Sequence, residues 1–213
     1  MGSEDRIDRA GRLYDRAVFG GDPSGLDPAE QGLDTVEADL SLARGRILHA
    51  RFLHDGTRDP RELPLFEHAA GLYRRLGDTR GGAWALFWIG CYHQLLGDDD
   101  TLAVPALERS LALAERAGDP LTASYALRHL GIAEHRAGRL DGARAHLEES
   151  TRLRRALGFT PGVAANLVGL AYLAAAQDRP DDAQALIEEA GTLADAADAQ
   201  GIVRQVDEAR AHL

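Results

Sequence analysis

Arginine and aromatic side chains are the residues of this sequence best suited to bind a ligand. A guanidinium group can form two parallel hydrogen bonds with a carboxylate, and tryptophan and tyrosine rings supply the large contact areas that dominate many binding surfaces. Such side chains stand at Arg46, Arg128, Arg136, Trp84, Phe87, Tyr125 and Tyr172, with His135 beside Arg136. Gathered on one surface, they would bind a ligand that has an acidic part and an apolar part.

Other kinds of chemistry have less support in the sequence. No two histidines show the i, i+4 spacing that puts two metal ligands on one helical face, so we expect no metal site. Cys91 and His93 are two residues apart and fall on different helical faces, which favours an unreactive thiol over a nucleophile. The stretch "GDDDT" at 97–101 lies between two predicted helices, where aspartate usually caps a helix. We therefore expect neither a cofactor nor a catalytic residue.

An internal repeat supplies the elements that must position these residues. The segment "LERSLALAERAGD", which starts at Leu107, resembles "LEESTRLRRALGF" from Leu147, "IEEAGTLADAADA" from Ile187 and "FEHAAGLYRRLGD" from Phe66. A period of about 40 residues indicates stacked units, each of which packs only on its neighbours.

Each unit has the pattern of two helices joined by a tight turn. Apolar residues recur every three or four positions, and the connectors "GDDD", "AGDP", "GFTP" and "QDRP" contain the residues that end helices and begin new ones. Gly90 and Gly131 occupy equivalent places in two first helices, although glycine there costs about 1 kcal/mol relative to alanine. We expect a close helix approach at these glycines, towards Ala103 and Ala143 of the second helices.

The stretch "LRHLGIAEHRAGRLDGARAHLEES" carries a resemblance to a known family. It resembles the tetratricopeptide repeat family through Leu127, Leu130, Gly131, Gly138, Leu140, Ala143, Leu147 and Ser150. The period of about 40 residues, longer than the usual 34, is similar to that of the long variant in bacterial activator sensor domains and kinesin light chains. The resemblance implies an all-α, right-handed superhelical solenoid of antiparallel helix hairpins.

This fold divides the chain into four hairpins between two caps. The predicted hairpins are 28–78, 79–119, 120–159 and 160–200, after an N-terminal capping helix and linker at 1–27 and before a C-terminal capping helix at 201–213. The first hairpin matches the pattern weakly, because His49 stands where later units have glycine. On the N-terminal helix, Ile7, Ala10, Leu13, Ala17 and Val18 are predicted to form one apolar stripe.

The resemblance also implies that the first helix of each hairpin lines a concave groove. The groove residues are then Arg46 in the first hairpin; Trp84, Phe87, Cys91 and Gln94 in the second; Tyr125, Arg128, Ile132, His135 and Arg136 in the third; and Val168 and Tyr172 in the fourth. Such a groove is aromatic and mildly basic. The alternative is that the rings pack between helices and that Arg128 and Arg136 pair with nearby glutamates.

Composition limits the kinds of partner. With 34 acidic and 24 basic residues the net charge is -10, which repels nucleic acid and anionic membranes. The single cysteine forms no internal disulfide, and the charged N-terminal segment lacks the apolar core of a signal peptide or membrane span. We therefore expect a cytoplasmic protein, and, because no DNA-binding segment precedes the repeats, a free-standing adaptor or sensor.

Two functional hypotheses follow. The first is a non-enzymatic interaction module whose groove binds a protein or peptide segment that is acidic and apolar, a C-terminal tail included. The second is a groove closed around a small aromatic acid, acting as a sensor or as an enzyme in which Arg128 and His135 would be the charge-stabilising and acid–base pair. A second copy of the chain is a further partner, through the stripe on the N-terminal helix.

Overall fold

In the computed structural model, which describes residues 2–212, the chain folds into helices joined by short turns. Met1 and Leu213, the outermost residues of the two predicted caps, lie outside the described residues. Within 2–212 the elements are α1 (Ser3–Gly20), a short 3-10 turn (Pro23–Gly25), α2 (Leu26–Asp55), α3 (Glu62–Leu76), α4 (Thr79–Leu95), α5 (Asp100–Arg116), α6 (Pro120–Arg136), α7 (Leu140–Ala156), α8 (Thr160–Ala176), α9 (Pro180–Ala196) and α10 (Gln200–His212).

The helices stack as consecutive antiparallel hairpins. The pairs α2 with α3, α4 with α5, α6 with α7 and α8 with α9 make the most extensive contacts, and each hairpin packs on the next. The first helices α2, α4, α6 and α8 also touch one another in sequence, so they form one continuous layer. No strand occurs among residues 2–212. The predicted all-α solenoid of hairpins is confirmed.

From α5 onward a helix begins every 20 residues, at positions 100, 120, 140, 160, 180 and 200. The turn before each start contains one residue with positive φ, at Asp98, Gly118, Gly138, Gly158, Asp178 and Asp198. Glycine adopts this left-handed conformation without strain, and aspartate tolerates it better than most residues. At Gly118, for example, the amide of the next residue, Asp119, donates back to Ala114 O at 2.8 Å and closes the helix end.

Aspartates in these turns begin the next helix. The Asp99 carboxylate accepts hydrogen bonds from the backbone amides of Thr101 (2.9 Å) and Leu102 (3.3 Å), which satisfies two otherwise free donors of α5. Asp119 accepts from the Thr122 amide and hydroxyl in the same way at the start of α6. The prediction that "GDDDT" is a helix cap is confirmed.

Glycine at the predicted positions allows the two helices of a hairpin to touch. A Cβ placed on Gly131 would lie 3.1 Å from Leu147 Cγ and 3.2 Å from the Ala143 carbonyl oxygen, and on Gly90 only 2.6 Å from Leu107 Cγ. Both distances are shorter than an ordinary carbon contact of about 3.5–4.0 Å. The predicted close approach between these helices is confirmed.

The first hairpin solves the same packing problem differently. Phe66 occupies the space beside Gly45, where an added Cβ would be 2.5 Å from the ring. His49, one turn later, is buried, and its Nδ1 lies 2.8 Å from Glu62 Oε1. The missing glycine at position 49 is thus compensated by Gly45 and by a buried His–Glu pair, and α2 begins at Leu26, two residues before the predicted hairpin boundary.

The two end helices cover the ends of the stack unequally. In α10, Val206 and Ala209 are fully buried against the last hairpin. In α1 the predicted stripe is split, because Ala10, Leu13 and Ala17 are half-buried while Ile7 and Val18 are more than half exposed. The prediction of a single stripe is therefore wrong: α1 uses one edge of it against α2 and leaves the other exposed.

Candidate functional site

A pocket of about 240 Å³ opens on the layer of first helices, between α6, α8 and α10. It brings together five of the predicted groove residues: Arg128, Ile132, His135, Val168 and Tyr172. Two further lining residues, Gln205 and Glu208, come from α10. The sequence gave no signal for these two, because α10 lies outside the repeat and has no partner position in the earlier units.

Two glycines form the floor of this pocket. Gly131 of α6 and Gly169 of α8 have no side chains, and Leu147 of α7 fills the space beneath both, 3.1 Å from the position of an added Cβ in each case. Larger residues at these positions would fill the cavity from below. The pocket therefore follows from the close helix packing that the glycines allow.

Arg128 is held in place by only part of its guanidinium. Its Nη1 donates to the Ala165 carbonyl oxygen at 2.7 Å and to Asn166 Oδ1 at 3.2 Å. Hydrogen bonds from its Nε or Nη2 to protein acceptors are not found among residues 2–212, and neither is a carboxylate partner. Since an arginine carries five N–H donors, part of the group is free to bind a ligand.

A second arginine lies deeper in the same wall. Arg154 of α7 is 2% exposed, and its guanidinium donates to the Gly162 carbonyl oxygen at 2.8 Å, Asn166 Oδ1 at 3.0 Å and Ser124 Oγ at 3.3 Å. It lies 4.8 Å from the centre of the Tyr125 ring. Its Nη2 is buried without a hydrogen-bond partner in the described structure. The sequence analysis missed this residue because second helices were expected to point outward.

Both arginines remain charged at neutral pH despite their surroundings. Burial lowers the pKa of Arg128 and of Arg154 to about 10, and for Arg154 the nearby positive charge of Arg128 lowers the pKa further. All the acceptors that contact them are neutral carbonyl, amide and hydroxyl oxygens. This protein of net charge -10 thus concentrates two cations without a carboxylate contact beside one pocket.

An aromatic cluster forms the neighbouring part of the same face. Trp84 and Trp88 stack with ring centres 6.1 Å apart, and the exposed Arg46 guanidinium lies over both rings, at 5.7 and 5.6 Å. Tyr125 completes the cluster, 5.3 Å from Trp84. These rings are half-buried and pack against the interior between the helices, so they serve packing first and leave only their edges exposed.

Three predicted groove residues are placed incorrectly by the sequence analysis. Phe87 and Cys91 are 1% exposed and Gln94 is fully buried, so none of them lines a groove in this structure. The cause is α6, which packs over this face of α4. Arg136 is on the surface at the end of α6, where Nη1 lies 3.6 Å from Asp98 and 3.7 Å from Asp100, outside the pocket.

The buried residues form a network with His129, which the sequence analysis also missed. His129 Nδ1 lies 2.7 Å from Gln94 Oε1, and its Nε2 is 3.6 Å from Cys91 Sγ. The two partners come from adjacent hairpins, 38 residues apart, so only the repeat register could have suggested the pairing.

The Cys91–His129 contact has the composition of a nucleophile and base but the wrong electrostatics. Burial raises the pKa of the Cys91 thiol well above its usual value. Burial, together with nearby positive charges, lowers the pKa of His129 to about 3. Thiol and imidazole are both held neutral, whereas a reactive cysteine requires a thiolate.

Sites of other kinds were also sought. Among residues 2–212, no group of three or more His, Cys, Asp or Glu side chains could hold a metal ion. In the same range, no helix combines the length and apolar character needed to cross a bilayer.

The stacked hairpins and their shared inner layer define the chain as a helical-repeat protein. Residues 121–196, which extend from the second residue of α6 to the end of α9, match the family model for the tetratricopeptide repeat. These two hairpins are tetratricopeptide repeats, and the resemblance drawn from the sequence is confirmed.

Comparison with other proteins adds little to this family assignment. Among solved structures, BtubC (BKLC) from P. vanneervenii is similar to this chain at 16% identity and a TM-score of 0.49, over 85% of this chain and 91% of that one. This likeness supports no statement about function. No curated protein sequence matches the chain.

Proposed function

We propose that this protein is a non-enzymatic interaction module that binds an acidic and partly apolar peptide segment in the pocket between α6, α8 and α10. The observation that carries the proposal is the pair Arg128 and Arg154, two desolvated guanidinium groups that meet only neutral acceptors. A carboxylate beside Arg128 would supply the missing negative charge. Tetratricopeptide repeats are, as a family, scaffolds for protein interaction, which agrees with this proposal.

The remaining pocket walls suit the rest of such a segment. Ile132, Val168 and Tyr172 provide an apolar surface next to the arginine, while Gln205 and Glu208 on α10 provide acceptors for peptide N–H groups. Glu208 is acidic and lies on the α10 side of the pocket. We therefore place the ligand carboxylate at the α6 wall and the peptide backbone towards α10.

Pocket size favours a peptide over a small molecule. Small-molecule sites usually enclose about 300–1,000 Å³ and bury most of the ligand. The pocket here is smaller, about 240 Å³, and is open on one side. It fits one side chain or a chain end and leaves the remainder of the ligand outside. A peptide meets that requirement better than a small aromatic acid, the alternative ligand.

Selection from a random heptapeptide library, prepared with free and with amidated C-termini, tests the proposal. We expect enriched peptides to carry an acidic side chain or a free C-terminus next to apolar residues. Loss of one charge-assisted contact costs about 1.5–3 kcal/mol, so Arg128→Met should weaken binding about tenfold to a hundredfold. Glu208→Gln should tighten binding, because it removes a negative charge near the ligand.

A matched control separates charge in the pocket from charge elsewhere. Arg152 lies on the exposed side of α7, paired with Glu149 at 2.7 Å, so Arg152→Met should leave affinity unchanged within about twofold. Enrichment of peptides without acidic groups, or equal losses in both arginine variants, would contradict the proposal. If benzoate or indole-3-acetate raises the melting temperature and no peptide binds, the small-molecule sensor replaces it.

A further inference from the structure

The exposed apolar side chains of this protein are concentrated on its first two helices. Of the eleven large apolar residues that are exposed within residues 2–212, nine belong to α1, α2 or the turn between them. Isolated exposed apolar residues are common on soluble proteins, but a contiguous set marks an interaction surface.

On α2 these residues follow a strict spacing. Leu26, Leu33, Leu40 and Ile47 stand seven residues apart and are between 41 and 56% exposed. A helix of 3.6 residues per turn places positions seven apart on one face. That face is opposite to Ala38 and Gly45, which α2 buries against the repeats. The row, here called the α2 row, is therefore turned away from the solenoid.

α1 extends this surface. It packs beside α2 through the edge that contains Ala10, Leu13 and Ala17, while Ile7, Tyr14 and Val18 are 54–58% exposed. Because the two helices are antiparallel, helical-wheel geometry turns these three side chains to the same side as the α2 row. The hairpin α1–α2 thus presents one apolar face built from both helices.

Charges along α2 indicate which partner fits this face. The residues four positions after each member of the α2 row are Glu30, Glu37, Arg44 and Arg51. The flank of the row is acidic in its first half and basic in its second half. Such a flank is complementary to itself only when a second α2 runs in the opposite direction.

The antiparallel register satisfies the apolar and the charged residues together. With a two-fold axis near residue 40, Leu40 faces Leu40 of the second copy and Leu33 faces its Ile47. In that register Glu37 lies opposite Arg44 of the second copy, and Glu30 opposite its Arg51. A parallel pair would instead place Arg51 next to Arg46 of the second copy, which is repulsive.

We propose that the α1–α2 hairpin face is a homodimer interface, in which two copies pair about a two-fold axis with their α2 helices antiparallel. The result is a four-helix assembly of two hairpins, an arrangement in which helices pack at small angles around a shared apolar core. The interface is at the opposite end of the chain from the pocket between α6, α8 and α10, so the two proposals stand independently.

Sedimentation or light scattering of the full chain tests the association itself. We expect a mass near twice the 22.9 kDa of one chain at micromolar concentration. Leu40→Asp places two carboxylates together at the axis and should weaken association at least about a hundredfold. Because Leu40 is exposed, the helical circular dichroism should not change. A wild-type chain that stays monomeric at about 100 µM overturns the proposal.

Two further variants test direction and register. Leu40→Cys should form a disulfide with the same residue of a second copy, whereas Leu26→Cys, which is far from the axis, should not. Equal cross-linking of both variants would indicate a parallel pair and overturn the antiparallel arrangement. Cys91 is buried and should not contribute.

Charge exchange completes the test. Glu30→Arg or Arg51→Glu alone should weaken association about tenfold, and the two together should restore it to within about twofold. Failure of the double variant to recover would also overturn the register, even with a dimeric wild type.

Discussion

Replacing Gly90 with alanine should lower the free energy of unfolding by about 1 kcal/mol, although alanine is the better helix former. The added Cβ would lie 2.6 Å from Leu107 Cγ, 2.7 Å from Leu107 Cδ2 and 3.3 Å from the Ala103 carbonyl oxygen. Leu107 is fully buried and has no room to withdraw. Overpacking of this kind costs about 1–3 kcal/mol, while the gain in helix propensity is about 1 kcal/mol.

Gly71, in the middle of α3, is the matched control because a Cβ there meets no atom within 4 Å. Gly71→Ala should therefore stabilise the protein by about 0.5–1 kcal/mol. The two variants should differ by about 2 kcal/mol, or about 4–8 °C in melting temperature for a chain of this size. Urea unfolding followed by circular dichroism measures both. If Gly90→Ala is as stable as Gly71→Ala, the close approach of α4 and α5 does not limit side-chain size.

Two other groups give predictions from their pKa values. Burial and the hydrogen bond to Asp39 raise the pKa of Tyr73 above that of free tyrosine, so ultraviolet titration should find one of the five tyrosines still protonated at about pH 11. Because the folded-state pKa is raised, the stability that Tyr73 contributes is complete below about pH 10 and is lost as the pH rises through the folded-state value; Tyr73→Phe should remove this dependence, and a full titration of five tyrosines near pH 10 would contradict it. Burial also raises the pKa of Cys91, so iodoacetamide should label the native protein at pH 8 at least about a hundredfold more slowly than the protein in urea; rapid native labelling would show that Cys91 is accessible.

Repetition made the backbone packing predictable from one sequence. Gly131 could be paired with Ala143 because the same spacing recurs at Gly90 and Ala103, and the structure places both pairs in contact. The turns were equally accessible, since aspartate and glycine at helix boundaries have few conformational alternatives. Local rules therefore determine most of the fold of this chain.

The site depends on contacts between hairpins, which one helix does not reveal. Phe87, Cys91 and Gln94 have the periodicity of a groove face, but α6 covers that face, so these side chains are buried. His129 and Arg154 act through neighbours that lie 8 to 38 residues away in sequence. Glu208 belongs to the capping helix, where no repeat register exists. Such relations require the relative positions of helices.

The 20-residue spacing of helix starts gives the chain a parity. Turns within hairpins and turns between hairpins are of equal length, so the backbone repeats every 20 residues while the side-chain pattern repeats every 40. Loss or gain of 40 residues would preserve the role of every later helix. Loss or gain of 20 would move each later helix to the opposite layer and turn Tyr172 and Val168 outward. In such an array, viable changes in length occur in whole hairpins, much as insertions in a coding sequence must preserve its reading frame.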